Sequence, residues 1–140
     1  MTLEQQVQRL LDIEAIKSLK ARYFRCMDCK DWDGLEQCFT EDLEADFREA
    51  PGMLAHGREN YLGQLREVLS EAVTVHRGHM AEIAFTTEDR ATGVWAMEDI
   101  VELPGMSLRG WGHYHDHYRR EQGEWRISSI RLTRLKLEQG

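Results

Sequence analysis

The sequence is short of positive charge. Its 140 residues include 18 Lys and Arg against 25 Asp and Glu, so the formal net charge at pH 7 is −7. Proteins that bind nucleic acid need a concentrated positive surface facing the phosphates, and anionic membrane surfaces attract the same property. The composition therefore predicts a protein with no nucleic-acid partner and no membrane attachment.

Long apolar runs and paired cysteines are also missing. No stretch is apolar for long enough to span a bilayer or to form the core of a signal peptide. The three cysteines are an odd number, which fits a reducing compartment better than a disulfide framework. Both observations predict a cytoplasmic location.

Prolines are scarce, and neither of them marks a linker. Pro51 and Pro104 each precede a glycine, which is typical of a turn within a loop. The chain contains no repeat and no low-complexity tract. A chain of 140 residues is long enough for one domain with a hydrophobic core and short for two domains that each have one. We therefore predict a single domain over residues 1–140.

The first half of the chain has a helical pattern. Thr2 and Gln5 form a capping-box pair, and apolar residues then recur every three or four positions. This stripe comprises Leu3, Val7, Leu10, Ile13, Ile16, Leu19, Tyr23 and Met27. It predicts one long helix that ends at about Cys29. Three shorter elements are expected after it: a helix at 31–39 capped by Asp31, a strand at 43–47 and a helix at 58–70.

From Val73 onward the period changes to two, and β-branched and aromatic residues become frequent. Turn signals divide this half into predicted strands at 73–86, 91–103, 108–121 and 124–137. Consecutive strands joined by tight turns form an antiparallel meander. Helices followed by such strands predict an α+β fold, a cone-shaped α+β barrel in which the N-terminal helices pack in a strongly curved, mixed or mainly antiparallel sheet and leave a pocket.

Three residues with acid/base chemistry are expected to meet at the open end of this cone. Tyr23 and Asp28 lie at the end of the first helix, and His76 lies near the start of the first long strand. A carboxylate can hold an imidazole in one tautomer and a phenol can donate a proton, so this set needs no metal. Each residue also has an interpretation without a catalytic role. Asp28 would then be a solvated residue at the end of a helix, and the rings of Tyr23 and His76 would pack like ordinary side chains.

Strand alternation adds three candidates for ligand binding. If the histidines of the run 113–117 face outward, Tyr114 faces the cavity. Arg134 shares a face with apolar residues of the last strand, where a guanidinium would bind an anionic or carbonyl group. Asp99 follows Trp95 and Glu98 in the second long strand and is a further candidate.

Two patterns resemble metal or redox sites. Cys26 and Cys29 have C-x-x-C spacing, but they lie on a predicted helix without a second pair. His113, His115 and His117 alternate along one strand face, where such side chains are about 7 Å apart and do not converge on one ion. We predict no metal and no cofactor, and we interpret the histidines as a polar outer face or a subunit contact. A histidine-based metal enzyme is the alternative.

The motifs resemble those of the SnoaL-like branch of the nuclear transport factor two-like superfamily. The resembling segments are YFRCMD at 23–28 with WD at 32–33, HRGH at 76–79 with EI at 82–83, ATGVW at 91–95 with ED at 98–99, YHDHY at 114–118 and GEW at 123–125. They extend over nearly the whole chain. The resemblance is closest to the bacterial bile-acid 7α-dehydratases and more distant to scytalone dehydratases and hexachlorocyclohexane dehydrochlorinases.

This resemblance implies a cofactor-independent lyase that carries out a dehydratase-type elimination on a small hydrophobic, oxygenated substrate, with steroid-like or polycyclic molecules as one option. His76 would be the general base and Asp28 its orienting partner, and Tyr23 would assist the departing hydroxyl or hold a carbonyl oxygen. Asp99 and Arg134 would line the cone and position the substrate. The family also implies a homodimer or homotrimer. Two alternatives stay open: an isomerase that uses the same site, and a non-catalytic cone domain that binds a small molecule.

Overall fold

The computed structural model describes all 140 residues and contains three helices and six strands. The helices are α1 (Leu3–Asp28), α2 (Trp32–Glu36) and α3 (Arg58–Leu69). The strands are β1 (Phe39–Asp46), β2 (Leu54–His56), β3 (Val73–Thr87), β4 (Arg90–Leu103), β5 (Met106–Glu121) and β6 (Glu124–Gln139). The predicted three helices and four long strands are thus confirmed. β1 begins earlier than predicted, and β2 was not predicted because three residues are too few to show a period.

All six strands form one sheet in the order β2-β1-β6-β5-β4-β3. The last four strands are the expected antiparallel meander, joined by tight turns. β1 pairs parallel with β6 and antiparallel with β2, so the sheet is mixed. The predicted α+β fold is therefore confirmed, with the N-terminal helices packed on the concave side of a six-stranded sheet.

α1 begins with the predicted capping box, and Asp31 caps α2 by accepting a hydrogen bond from the Gly34 N–H. Buried side chains of α1 from Ile16 to Met27 face the sheet. The predicted apolar stripe is wrong in its first part, because Leu3, Val7 and Leu10 are exposed. The first turns of α1 lie outside the core, and periodicity alone cannot show at which residue the helix stops packing against the sheet. None of the three helices combines the length and apolarity that a bilayer crossing needs.

The concave face of β5 has an unusual alternation of size. Gly110 and Gly112 precede three buried side chains on the same face: Tyr114, Asp116 and Tyr118. A Cβ at Gly110 would overlap Nη1 of Arg134, and one at Gly112 would overlap the carbonyl oxygen of Thr133. The register with β6 shifts between Trp111 and Gly112, and such bulges bend a sheet. Gly110 therefore makes room for the Arg134 side chain on the concave side, and Gly112 makes room for the backbone of β6.

Candidate active site

An apolar cavity of about 230 Å³ opens between α1, α3 and the concave face of the sheet. Fifteen of its 20 lining residues are hydrophobic, counting three tyrosines. The lining includes five of the six residues predicted from the sequence, namely Tyr23, His76, Asp99, Tyr114 and Arg134. Asp28 lies behind His76. A larger depression of about 860 Å³ beside α3 is lined almost entirely by polar and charged residues and contains none of these side chains.

Asp28 and His76 are in direct contact. Oδ1 of Asp28 lies 2.7 Å from Nδ1 of His76, and the backbone N–H of His76 donates to Oδ2 at 2.9 Å. This is the contact expected from the sequence. It also stabilises a negative charge at the C-terminal end of α1, where the helix dipole disfavours a carboxylate. Because Asp28 accepts the Nδ1 proton, Nε2 is the unprotonated ring nitrogen of the neutral imidazole. His76 is largely buried at the cavity wall, so Nε2 can accept a proton there.

Two residues that the sequence did not single out support Asp28. The Thr74 hydroxyl donates to Asp28 Oδ1 at 3.0 Å, and Lys30 Nζ donates to the Thr74 hydroxyl oxygen at 2.8 Å. Burial by itself would raise the pKa of Asp28, but hydrogen bonds from His76 and Thr74 outweigh it, so the pKa of this carboxyl is lowered. Thr74 carried no signal beyond its place on the inner face of β3, two residues before His76.

Three tyrosines line the cavity: Tyr23, Tyr61 and Tyr114, of which Tyr61 was not predicted because it fits the apolar side of α3. The rings of Tyr23 and Tyr114 pack edge to face with centroids 6.0 Å apart. Burial raises the pKa of all three phenols, and for Tyr23 the neighbouring Tyr114 and Tyr61 raise it further. These hydroxyls therefore stay protonated and act as neutral hydrogen-bond donors.

A buried ion pair lies behind these rings. Lys20 Nζ is 2.8 Å from Asp116 Oδ2, and both side chains are fully buried. The ammonium lies 3.9 Å from the ring centroid of Tyr114 and 4.2 Å from that of Tyr23, within the range of cation–π attraction. Burial lowers the pKa of Lys20, and Asp116 opposes this shift. The sequence offers one indication that Lys20 is buried: it lies between Ile16 and Tyr23 on the same face of α1.

Asp99 and Arg134 meet at the cavity wall. Arg134 donates from Nη1 to Asp99 Oδ1 at 2.7 Å and from Nη2 to Oδ2 at 3.1 Å. Asp99 is also the register partner of His76 across the β3–β4 pair. The guanidinium predicted to face the cavity does so, but its charge is balanced by the Asp99 carboxylate, which reaches it from β4 across the intervening strand β5.

The other motifs lie away from the cavity. The sheet alternation turns Tyr114 inward and His113, His115 and His117 outward, as predicted. His115 Nε2 lies 3.0 Å from the Thr133 hydroxyl oxygen. No group of three or more His, Cys, Asp or Glu side chains in the structure is arranged to hold a metal ion.

Together these features define the class: a cone-shaped α+β domain with an apolar cavity and a histidine–carboxylate pair at its wall. The model of the SnoaL-like domain matches residues 8–131. The chain therefore belongs to the SnoaL-like domain family, within the nuclear transport factor two-like superfamily.

Known proteins are similar in sequence and in fold. The chain is 30% identical over 122 residues to the scytalone dehydratase-like protein AacuK of Aspergillus aculeatus, covering 74% of this chain and 67% of that protein. A candidate scytalone dehydratase from Novosphingobium aromaticivorans superimposes with a TM-score of 0.84 at 24% identity, covering 95% of this chain and 90% of the other. The type 2 hexachlorocyclohexane dehydrochlorinase LinA gives a TM-score of 0.85 at 22% identity, with coverage of 96% and 93%. These two structures establish the shared fold.

Proposed function

We propose that the protein is a cofactor-independent lyase that performs a dehydratase-type elimination on a neutral, apolar, oxygenated small molecule. The observation that carries this proposal is the 2.7 Å contact between Asp28 Oδ1 and His76 Nδ1 at the wall of an apolar cavity. A base with one ring nitrogen held by a carboxylate and the other free is suited to abstract a proton from carbon. The names of the relatives, a scytalone dehydratase-like protein and a dehydrochlorinase, support an elimination.

The reaction begins when His76 Nε2 takes a proton from the carbon next to a conjugated carbonyl. Asp28 balances the imidazolium that forms, and a hydrogen bond from Tyr23 stabilises the charge on the carbonyl oxygen. The electron pair of the broken C–H bond then forms the double bond while the C–O bond of the hydroxyl breaks. Because burial raises the pKa of Tyr23 well above its ordinary value, the phenol assists as a donor, and the imidazolium supplies the proton with which the hydroxyl leaves as water.

The proposed substrate is uncharged because the cavity holds no unbalanced cation. Arg134 is paired with Asp99, and the remaining polar groups of the lining are His76 and the phenols. An anionic ligand would have to break the pair between Arg134 and Asp99. The many apolar lining residues favour a compound with a large hydrocarbon surface, and the resemblance to bile-acid 7α-dehydratases supports a steroid-like or polycyclic substrate.

Isomerisation is the second candidate reaction. A mostly apolar lining limits exchange of the imidazolium proton with water, so His76 can also return the same proton to another carbon of the bound molecule. The two reactions differ in the product: elimination removes one water, whereas isomerisation leaves the mass unchanged. Mass spectrometry of products from a panel of neutral polycyclic β-hydroxy ketones and of related β,γ-unsaturated ketones separates them.

The test of the proposal compares two histidines on the same strand. His76→Ala is expected to lower turnover by roughly 10²- to 10⁴-fold, the usual contribution of a positioned base. His79→Ala is the matched control, because His79 is exposed and lies 3.7 Å from Glu98 on the other side of the strand. Equal turnover by both variants, with thermal melting confirming the folds, would mean that His76 is not the base. Binding of the panel compounds without any product would favour the non-catalytic binding domain instead.

From the sequence we also propose a cytoplasmic location and a homodimer or homotrimer. Light scattering coupled to size-exclusion chromatography measures the number of subunits, and a monomer at micromolar concentration would contradict the second proposal.

A further inference from the structure

The turn that closes α1 contains a lysine in a strained backbone conformation. Lys30 has a φ of 58°, in the left-handed region that residues with a side chain rarely adopt. The conformation lets the Asp31 N–H donate to the Cys26 carbonyl at 2.9 Å and the Lys30 N–H donate to the Met27 carbonyl at 3.3 Å, which is the hydrogen-bond pattern of a helix closed by a left-handed residue. Glycine is the usual residue there because it has no Cβ. The lysine side chain must therefore be considered for a role that glycine would not provide.

The side chain of Lys30 turns back toward the candidate active site. Its Nζ donates to the Thr74 hydroxyl oxygen at 2.8 Å and to the Met27 carbonyl at 3.3 Å. Thr74 is buried and donates in turn to Asp28 Oδ1 at 3.0 Å. The same carboxylate oxygen lies 2.7 Å from His76 Nδ1. A continuous series of hydrogen bonds thus connects the ammonium of Lys30 with the imidazole of His76.

The direction of this series follows from counting protons. An ammonium has only donors, so the Thr74 oxygen must accept from Lys30. The hydroxyl has a single proton, and an ionised carboxylate only accepts, so this proton is directed to Asp28 Oδ1. Without Lys30 the hydroxyl is free to rotate about its C–O bond toward another acceptor. Lys30 therefore fixes the orientation of the Thr74 hydroxyl, which in turn fixes one oxygen of Asp28.

We propose that Lys30 is a positioning residue for the histidine base, acting through Thr74 and Asp28. It holds Asp28 Oδ1 in line with His76 Nδ1 and helps to keep the negative charge on the carboxylate while His76 carries the transferred proton. The kinetic part of this inference rests on the proposed function, whereas the hydrogen-bond part concerns the protein without substrate. The side chain of Lys30, and not its backbone conformation, therefore has the functional role at this position.

The kinetic test uses two substitutions that both remove the ammonium of Lys30 but differ in backbone strain. Lys30→Gly removes the side chain and relieves the left-handed strain, whereas Lys30→Met removes the donor and keeps the strain. Both are expected to lower kcat by roughly 10- to 100-fold with KM changed by less than about two-fold, since a misplaced base affects the chemical step more than binding. The thermal midpoint of Lys30→Gly is expected to be retained or raised. Loss of stability and kcat together in Lys30→Gly would indicate a structural role and overturn the proposal.

The spectroscopic test needs no substrate. Long-range ¹H–¹⁵N NMR reports the tautomer of the His76 ring, whose signals are assigned by their loss in His76→Ala. We expect Lys30→Met and Thr74→Val to produce the same change in the His76 nitrogen shifts. Lys17→Met, which removes an exposed lysine of α1 paired only with Glu14, is the control and should leave them unchanged. Unchanged His76 shifts in Lys30→Met would overturn the proposal.

The two tests also separate this inference from the proposed function. If no panel compound is converted but the His76 shifts respond to Lys30→Met, the lyase proposal fails and the positioning of the imidazole stands. If substrate is converted and kcat in Lys30→Met equals that of the wild type, the positioning role fails and the lyase stands.

Discussion

Arg134 and Asp99 form a bidentate ion pair, with Nη1–Oδ1 and Nη2–Oδ2 distances of 2.7 and 3.1 Å. The side chains are only 11% and 5% exposed. Planar pairing of this kind is the strongest geometry available to arginine and carboxylate. The pair therefore organises the wall of the cavity and leaves no free cation there for a ligand.

Replacing one member of this ion pair should destabilise the protein more than replacing both. Arg134→Met leaves the Asp99 carboxylate buried and unpaired, which typically costs about 3–5 kcal/mol of unfolding free energy. The double variant Asp99→Asn with Arg134→Met removes both charges and should recover part of this loss. Urea denaturation of the three proteins measures the difference. Equal stability of the single and double variants would contradict the prediction.

Asp28 and His76 should behave as one unit in catalysis. Asp28→Asn is expected to lower kcat by roughly 10²- to 10⁴-fold, because an amide can keep a hydrogen bond but cannot balance an imidazolium. The double variant with His76→Ala should be little worse than His76→Ala alone, since residues that act together are non-additive. Steady-state kinetics on a confirmed substrate measure this cycle. Multiplicative losses would mean that the two side chains act independently.

The lowered pKa of Asp28 predicts an acid-dependent contribution to stability. Its ordinary value is 3.8, and its folded value lies below that. A carboxyl with a depressed folded pKa stabilises the protein above its unfolded pKa and loses this contribution as the pH falls through the folded pKa. The difference in unfolding free energy between wild type and Asp28→Asn should therefore shrink between pH 5 and pH 2. Parallel pH profiles from urea denaturation would show that Asp28 is not responsible.

The buried pair of Lys20 and Asp116 should show the same asymmetry as the cavity pair. Lys20→Met leaves Asp116 as an uncompensated buried charge and should cost about 3–5 kcal/mol of unfolding free energy. The double variant Lys20→Met with Asp116→Asn should recover most of it, since Met fills a similar volume. Lys17→Met serves as the surface control and should change stability by less than about 0.5 kcal/mol. A Lys20→Met protein as stable as this control would contradict the prediction.

The outward-facing histidines should not bind a stoichiometric metal. Elemental analysis of the purified protein is expected to find no transition metal at one ion per chain. The distance between the ring centroids of His113 and His115 is 6.3 Å, and no carboxylate or thiol completes a site with them. One zinc ion per chain that is lost from His113→Ala and His115→Ala proteins would reverse this conclusion.

The sequence predicted the residues that periodicity places on the inner face. Tyr23 lies on the buried side of α1, and strand alternation placed Tyr114 and Arg134 in the cone. Lys20 was not recognised, because a lysine in an apolar stripe is normally interpreted as solvated and its partner Asp116 lies far along the chain. Thr74 and Lys30 were missed for the same reason: their roles depend on contacts across the fold, which a local pattern does not contain.

The pairing of β1 is the part of the fold that could not be predicted from the sequence. β1 pairs in parallel with β6, a strand that follows it only after α3 and four other strands, so no short turn in the sequence indicates this pairing. The antiparallel meander, by contrast, could be predicted because consecutive strands are connected by turns with recognisable residues, at Asp89, Gly105 and Gly123.

Gly110 has a consequence for how this protein can acquire new substrates. Even a single methyl group at this position would overlap Nη1 of Arg134 and come within 2.7 Å of Asp99 Oδ1, so a side chain there would displace the ion pair that lines the cavity. Val68 and Met106 also belong to the lining and are partly exposed to solvent at its entrance, so their side chains can change without displacing that pair. Selectivity among ligands should therefore diversify by exchange of side chains at the entrance, while the reacting groups keep one fixed arrangement.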